Sequence, residues 1–106
     1  IEQQETFEVD ERTLKVVSAL FYMPSTKTRP GAVTFADFLH LMSTVGFEAE
    51  KLYGSAWVFV PKGLDLHRNI QFHEPHPVSK LPFKIARRWG RRLRNAYGWH
   101  GGMFEL

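Results

Sequence analysis

The spacing of apolar side chains changes character along this chain. In ERTLKVVSALFY, Leu14, Val17, Leu20 and Phe21 recur three or four positions apart, the period of one helical face. Asp10 stands just ahead, where a short carboxylate can accept from a backbone N–H of the first turn. A helix is therefore predicted over 10–22, with Pro24 as its stop. STKTRPGAV has the composition of a loop, with Pro30-Gly31 as its strongest turn signal. A second helix is predicted from Thr34, which with Asp37 three residues later resembles a capping box, although Asp is shorter than the preferred Glu. Its apolar face is Phe35, Phe38, Leu39, Met42 and Val45, and Gly46 ends it.

Past Gly46 the period shortens. FEAEKLYGSAWVFVP reads as two short strands hinged at Gly54-Ser55, because the run from Trp57 to Val60 is too short for a helix before Pro61. RNIQFH alternates Ile70 and Phe72 against Asn69, Gln71 and His73, as a third strand does. EPHPVSK is a loop. The last helix is predicted to begin at Pro82 and to run to about Tyr97, with Gly98 as its stop. The order α-α-β-β-β-α gives an α+β fold, a three-stranded antiparallel sheet packed by helices. The expected organisation is one domain over 1–106: an additional N-terminal helix at 10–22, a core at 34–98 and a tail at 99–106. That tail holds His100 between Trp99 and Gly101-Gly102, and its aromatic content predicts that it folds back on the core.

Trp57 and Phe59 are assigned to the core face of their strand. Its second face has three candidate fates: covered by the N-terminal helix, exposed to a partner, or open to base stacking. Tyr53 has no assignment from pattern alone.

Composition narrows the class. A chain of 106 residues that is 43% apolar can build one core. It has no run of eighteen apolar residues, and IEQQETFEVDE is acidic and polar, so neither a membrane-spanning helix nor a secretory signal is visible. Because it opens on Ile, the chain is expected to be a piece of a longer polypeptide. The absence of cysteine excludes a disulfide framework, a thiolate metal site and a Cys nucleophile. An intracellular location, cytoplasmic or nuclear, is expected, with no membrane partner, no small-molecule substrate and no cofactor.

The net charge of +3 conceals an asymmetry. Residues 1–50 carry four basic and eight acidic side chains, whereas residues 51–106 carry ten basic and three acidic. Six of the fourteen Lys and Arg residues lie within KIARRWGRRLR, residues 84–94. At about 100° per residue, with Phe83 at zero, Ile85, Ala86, Trp89, Leu93, Ala96 and Tyr97 project between roughly 200° and 320°. Lys84, Arg87, Arg88, Arg91, Arg92 and Arg94 project between roughly 20° and 180°. One face is for docking and the other is cationic, with no Asp or Glu to neutralise it. An ordinary solvated face is the plain reading. Four arginines in two pairs one turn apart also suit phosphates, whose oxygens match the guanidinium fork. An acidic protein partner is the third.

His73 and His76 flank Glu74-Pro75. They would need a third ligand, Glu74 or His67, to hold a metal, and histidines in an irregular loop more often bond to backbone. No metal site is expected. Either histidine is a weak candidate for general acid or base.

Residues 35 to about 97 resemble the HicA-type mRNA interferases. The features that carry the likeness are the helix ending in Val45-Gly46-Phe47, Gly54-Ser55 before an apolar strand, a third strand entering a Pro/His loop, and a closing helix. The resemblance implies a fold like a double-stranded-RNA-binding domain. In that family a catalytic histidine follows the Gly-Ser pair. Here Ala56 follows it, and alanine cannot move a proton, so the implied nuclease activity is expected to be missing. IQFHEPHP and RRLRNAYGWHGGMF also look like a domain at the ends of larger uncharacterised fungal proteins. The expected function is thus non-catalytic binding of structured or double-stranded RNA by Arg87, Arg88, Arg91 and Arg92, with Lys84, Arg94 and Lys80 at the margin. The alternatives are a protein-interaction or dimerisation module, and a residual ribonuclease using His73 or His76.

Overall fold

A computed structural model describes residues 6–21, 23, 33–64 and 66–106. Its elements in chain order are β1 (Phe7–Glu8), α1 (Glu11–Leu20), β2 (Val33–Thr34), α2 (Phe35–Thr44), β3 (Phe47–Lys51), β4 (Ala56–Pro61), β5 (Ile70–His73), β6 (Lys80–Leu81), α3 (Phe83–Tyr97) and β7 (Phe104–Glu105). The α+β class and the α-α-β-β-β-α order of the longer elements are as predicted. Four two-residue strands are additional.

Local chemistry sets the helix ends. Asp10 accepts from the Thr13 N–H at 2.7 Å and caps α1. Thr34 and Asp37 form a complete capping box: the Asp37 N–H donates to Thr34 Oγ1 at 3.1 Å, and the Thr34 N–H donates to Asp37 Oδ2 at 3.3 Å. Gly98 closes α3 at φ 75°, a left-handed conformation that side chains with a Cβ disfavour. Helix α1 ends at Leu20, two residues short of the predicted span; Tyr22, Pro24 and residues 25–32 of the expected loop lie outside the described residues.

Strands β3, β4 and β5 form an antiparallel sheet in that order. The register pairs Ala49 with Phe59, Trp57 with Phe72, and Ala56 with His73. Phe47, Phe59, Ile70 and Phe72 thus share one face, and all are buried. Helices α2 and α3 cover that face together: Phe38 of α2 lies 5.0 Å from Phe72, and Trp89 of α3 lies 4.6 Å from Phe72 and 4.9 Å from Phe38, ring to ring. Helix α1 packs across both helices on the far side, making a third layer. Leu41, absent from the predicted apolar face of α2, is fully buried because that helix is enclosed between α1 and the sheet.

The α1–α3 crossing is close. A Cβ added at Gly90 would overlap the Leu20 carbonyl oxygen and stand 2.7 Å from its carbon, so only glycine fits there. The tail folds back as expected. Strand β7 pairs with β1 in parallel, and Trp99, 1% exposed, sits among Phe7, Phe47, Tyr97 and Phe104.

Two polar contacts tie α1 to α2 at the surface: Arg12 Nε donates to Asp37 Oδ1 at 2.8 Å, and His40 Nε2 lies 2.9 Å from Asp10 Oδ2. The contact with His40 and the bonds from Thr13 hold the Asp10 carboxyl at about 2, below its ordinary 3.8. A depressed acid stabilises the fold above its unfolded pKa and loses that contribution as pH falls through the folded value. Asp10→Asn, which retains a capping oxygen, is expected to lower Tm above about pH 4, with the gap to the parent closing as pH approaches 2. A gap that is constant from pH 5 to 2 in thermal scans would contradict this. Gly90→Ala is expected to cost about 3 kcal/mol or more by overpacking, read by circular dichroism as a Tm drop of roughly 12 °C or more.

Candidate functional site

The amphipathic division of α3 survives in three dimensions. Ala86, Trp89, Gly90 and Leu93 are buried, while Lys84, Arg88, Arg91 and Arg94 are exposed. Among the described residues, Arg12 forms an ion pair with Asp37 and His40 contacts Asp10; no carboxylate neutralises Lys84, Arg88, Arg91 or Arg94. Consecutive members of this row are three or four residues apart, about 4.5–6 Å along the axis.

The remaining two cations differ. Arg87 is half-buried, with its guanidinium 5.0 Å from the centre of the Phe83 ring. Arg92 is an anchor. Its Nη2 donates to the Gln71 carbonyl on the outer edge of β5 at 2.6 Å, and its guanidinium stacks 4.3 Å from the Phe72 ring. Burial lowers its pKa from the ordinary value, yet a guanidinium stays charged at any physiological pH. Tyr97, whose pKa is raised by burial, donates its hydroxyl to the Arg68 carbonyl at 2.6 Å. Side chains of α3 thus bond to the free edge of β5 and to the segment just before it, and they bring Arg68 beside Arg92 around a small cleft of about 310 Å³.

A larger cleft of about 760 Å³ opens between the loop after β5 and the start of α3. It brings together His73, His76, Lys80, Arg88 and Arg92, which the sequence singled out separately. Ile85 and Trp89 from α3, with Pro75, Pro77, Val78 and Pro82, supply its apolar lining. The loop is well tied. Glu74 accepts from Trp57 Nε1 at 3.1 Å on one carboxylate oxygen and from Ser79 Oγ at 2.9 Å on the other. The Glu74 N–H donates to the Ser55 carbonyl at 2.8 Å, and Ser55 Oγ lies 3.1 Å from His73 Nδ1. Among the described residues no group of three or more His, Asp or Glu side chains is placed to hold a metal.

Phe59 is fully buried, and Trp57 is half-buried on the same face with its ring 5.7 Å from Phe35. The second sheet face carries Glu48, Glu50, Val58, Val60, Gln71 and His73. Since α1 packs on α2 and α3, it does not cover that face. Tyr53, unassigned by pattern, is 85% exposed in the β3–β4 turn. No described helix is long and apolar enough to cross a membrane. Compared with protein-family models, with curated proteins and with solved structures, the chain finds no match in any of the three.

Anchored and free arginines are separable by stability. Arg92→Met retains a stem over Phe72 but removes the donor to Gln71, and is expected to cost about 1 kcal/mol in urea unfolding. Arg88→Gln and Arg91→Gln are expected to stay within about 0.5 kcal/mol of the parent. Equal losses in all three would place Arg92 in the same class as its neighbours.

Proposed function

We propose that the chain is an RNA-binding module that grips the phosphate backbone of structured or double-stranded RNA through α3. The observation that carries the reading is the exposed row Lys84, Arg88, Arg91 and Arg94, free of carboxylate partners among the described residues. Phosphates are the ligands that such a row attracts without any base-reading motif, since duplex RNA is recognised largely through shape and backbone. The α2-β3-β4-β5-α3 order, with both helices on one sheet face, is the order that the proposed likeness to HicA-type and double-stranded-RNA-binding domains calls for. Ala56 argues for a binder. It stands where that family carries its catalytic histidine and offers no group for proton transfer.

Strand addition by a protein partner is the weaker reading. One sheet edge, β3, carries Glu48, Glu50 and Lys51, and the other has its Gln71 carbonyl occupied by Arg92. A residual ribonuclease gains one point, the meeting of His73 and His76 in a cationic cleft. Cleavage would appear in the same gels that test binding.

Arg88→Glu with Arg91→Glu is expected to abolish the electrophoretic shift of duplex RNA at low salt while leaving the circular dichroism spectrum unchanged. For the parent protein, log Kd should rise linearly with log salt, and each single Arg→Gln variant should lower that slope by about 1. An unaltered shift in the double variant removes the proposal. Intact RNA after long incubation excludes the nuclease reading, and cleavage lost in His73→Ala/His76→Ala would support it.

A further inference from the structure

Arg88 and Arg92 belong to two surfaces at once, the cationic side of α3 and the cleft beneath the 74–78 loop. We propose that this cleft receives one unpaired nucleotide of the RNA that α3 grips, with its base against Ile85, Trp89 and Val78 and its phosphate between Lys80 and Arg88. The inference rests on the RNA-binding reading of α3 and specifies the form of RNA bound: a duplex with a bulged or overhanging residue.

Four features support it. At about 760 Å³ the cleft lies within the usual range for small-ligand sites, roughly 300–1,000 Å³. Its interior is mostly apolar, as a flat base requires, and its rim carries cations from both walls, Lys80 from the loop side and Arg88 from the helix. Among the described residues the only carboxylate in its lining, Glu74, already accepts from Trp57 and Ser79, one donor on each oxygen. Those bonds, with the one from the Glu74 N–H to Ser55, also hold the loop in shape, so little ordering is needed when a ligand enters.

Charge pattern distinguishes a nucleotide from a segment of protein. A nucleotide joins a flat ring to an anion within one unit and repeats the anion along the strand. The cations do the same, from Lys80 through Arg88 to Arg91 outside the cleft. A blunt duplex cannot offer such a ring, because its bases are paired and stacked, whereas bulges and ends can splay a base onto a side-chain platform.

The test is fluorescence anisotropy with three labelled RNAs: a blunt duplex, the same duplex with one bulged nucleotide, and the same bulge lacking its base. The bulged duplex is expected to bind about fivefold tighter or more than the blunt one, and the abasic bulge to match the blunt duplex. Val78, 58% exposed, can be replaced without loss of core. Val78→Asp and Ile85→Ala, each checked for unchanged circular dichroism, are expected to remove the bulge preference and keep blunt-duplex binding.

Equal affinity for the three RNAs overturns the cleft assignment and leaves backbone binding by α3 standing, as does a preference that survives both substitutions. Absence of binding to any RNA overturns both. An acidic peptide that displaces the bulged RNA as well as unlabelled bulged RNA does would assign the cleft to a protein segment, against the proposal.

Discussion

The contact between Gly90 and the Leu20 carbonyl is the constraint on which the surface of this protein depends. Because no Cβ intervenes, α1 approaches α3 backbone to backbone and fixes the rotation of α3 about its own axis. Trp89, one residue earlier, is then driven against Phe72 of the sheet and Phe38 of α2. With Gly90 and Trp89 both committed, Lys84, Arg88, Arg91 and Arg94 are left on the exposed side of the helix, Arg88 also lining the cleft. The cationic row is therefore a consequence of packing on the opposite side of the same helix.

What could be read along the chain was short-ranged. The caps at Asp10, at Thr34 with Asp37, and at Gly98 depend on residues within a few positions of one another, and all three are present. The three strands of the sheet were legible from the change to period two, and the docked and solvated faces of α3 from one helical projection. Contacts between distant segments were not legible. Leu20 and Gly90 lie seventy positions apart, and no local pattern marks that glycine as a crossing point. Leu41 falls off a single-face pattern because α2 is covered on two sides.

The candidate site divides the same way. The projection puts Arg92 among the four arginines expected to bind phosphate, but it lies at the border of the cationic arc, beside β5, and there it becomes a hydrogen-bond donor and a ring-stacking group. The cleft was illegible because its two walls come from a loop and a helix whose juxtaposition depends on Glu74. The partners of Glu74, Trp57 and Ser79, lie on opposite sides of it in the sequence. A lone glutamate among prolines and histidines gives no hint of that role.

The edge of β5 has a further implication for how the chain is made. Translation delivers β5 before α3, so the Gln71 carbonyl leaves the ribosome without the guanidinium that later occupies it. During that interval the nascent sheet has an open border of backbone groups, the kind of template through which growing chains associate. Arrival of the last helix occupies that carbonyl. The same arginine-rich segment that faces outward as a polycation thus also ends a vulnerable moment in biosynthesis.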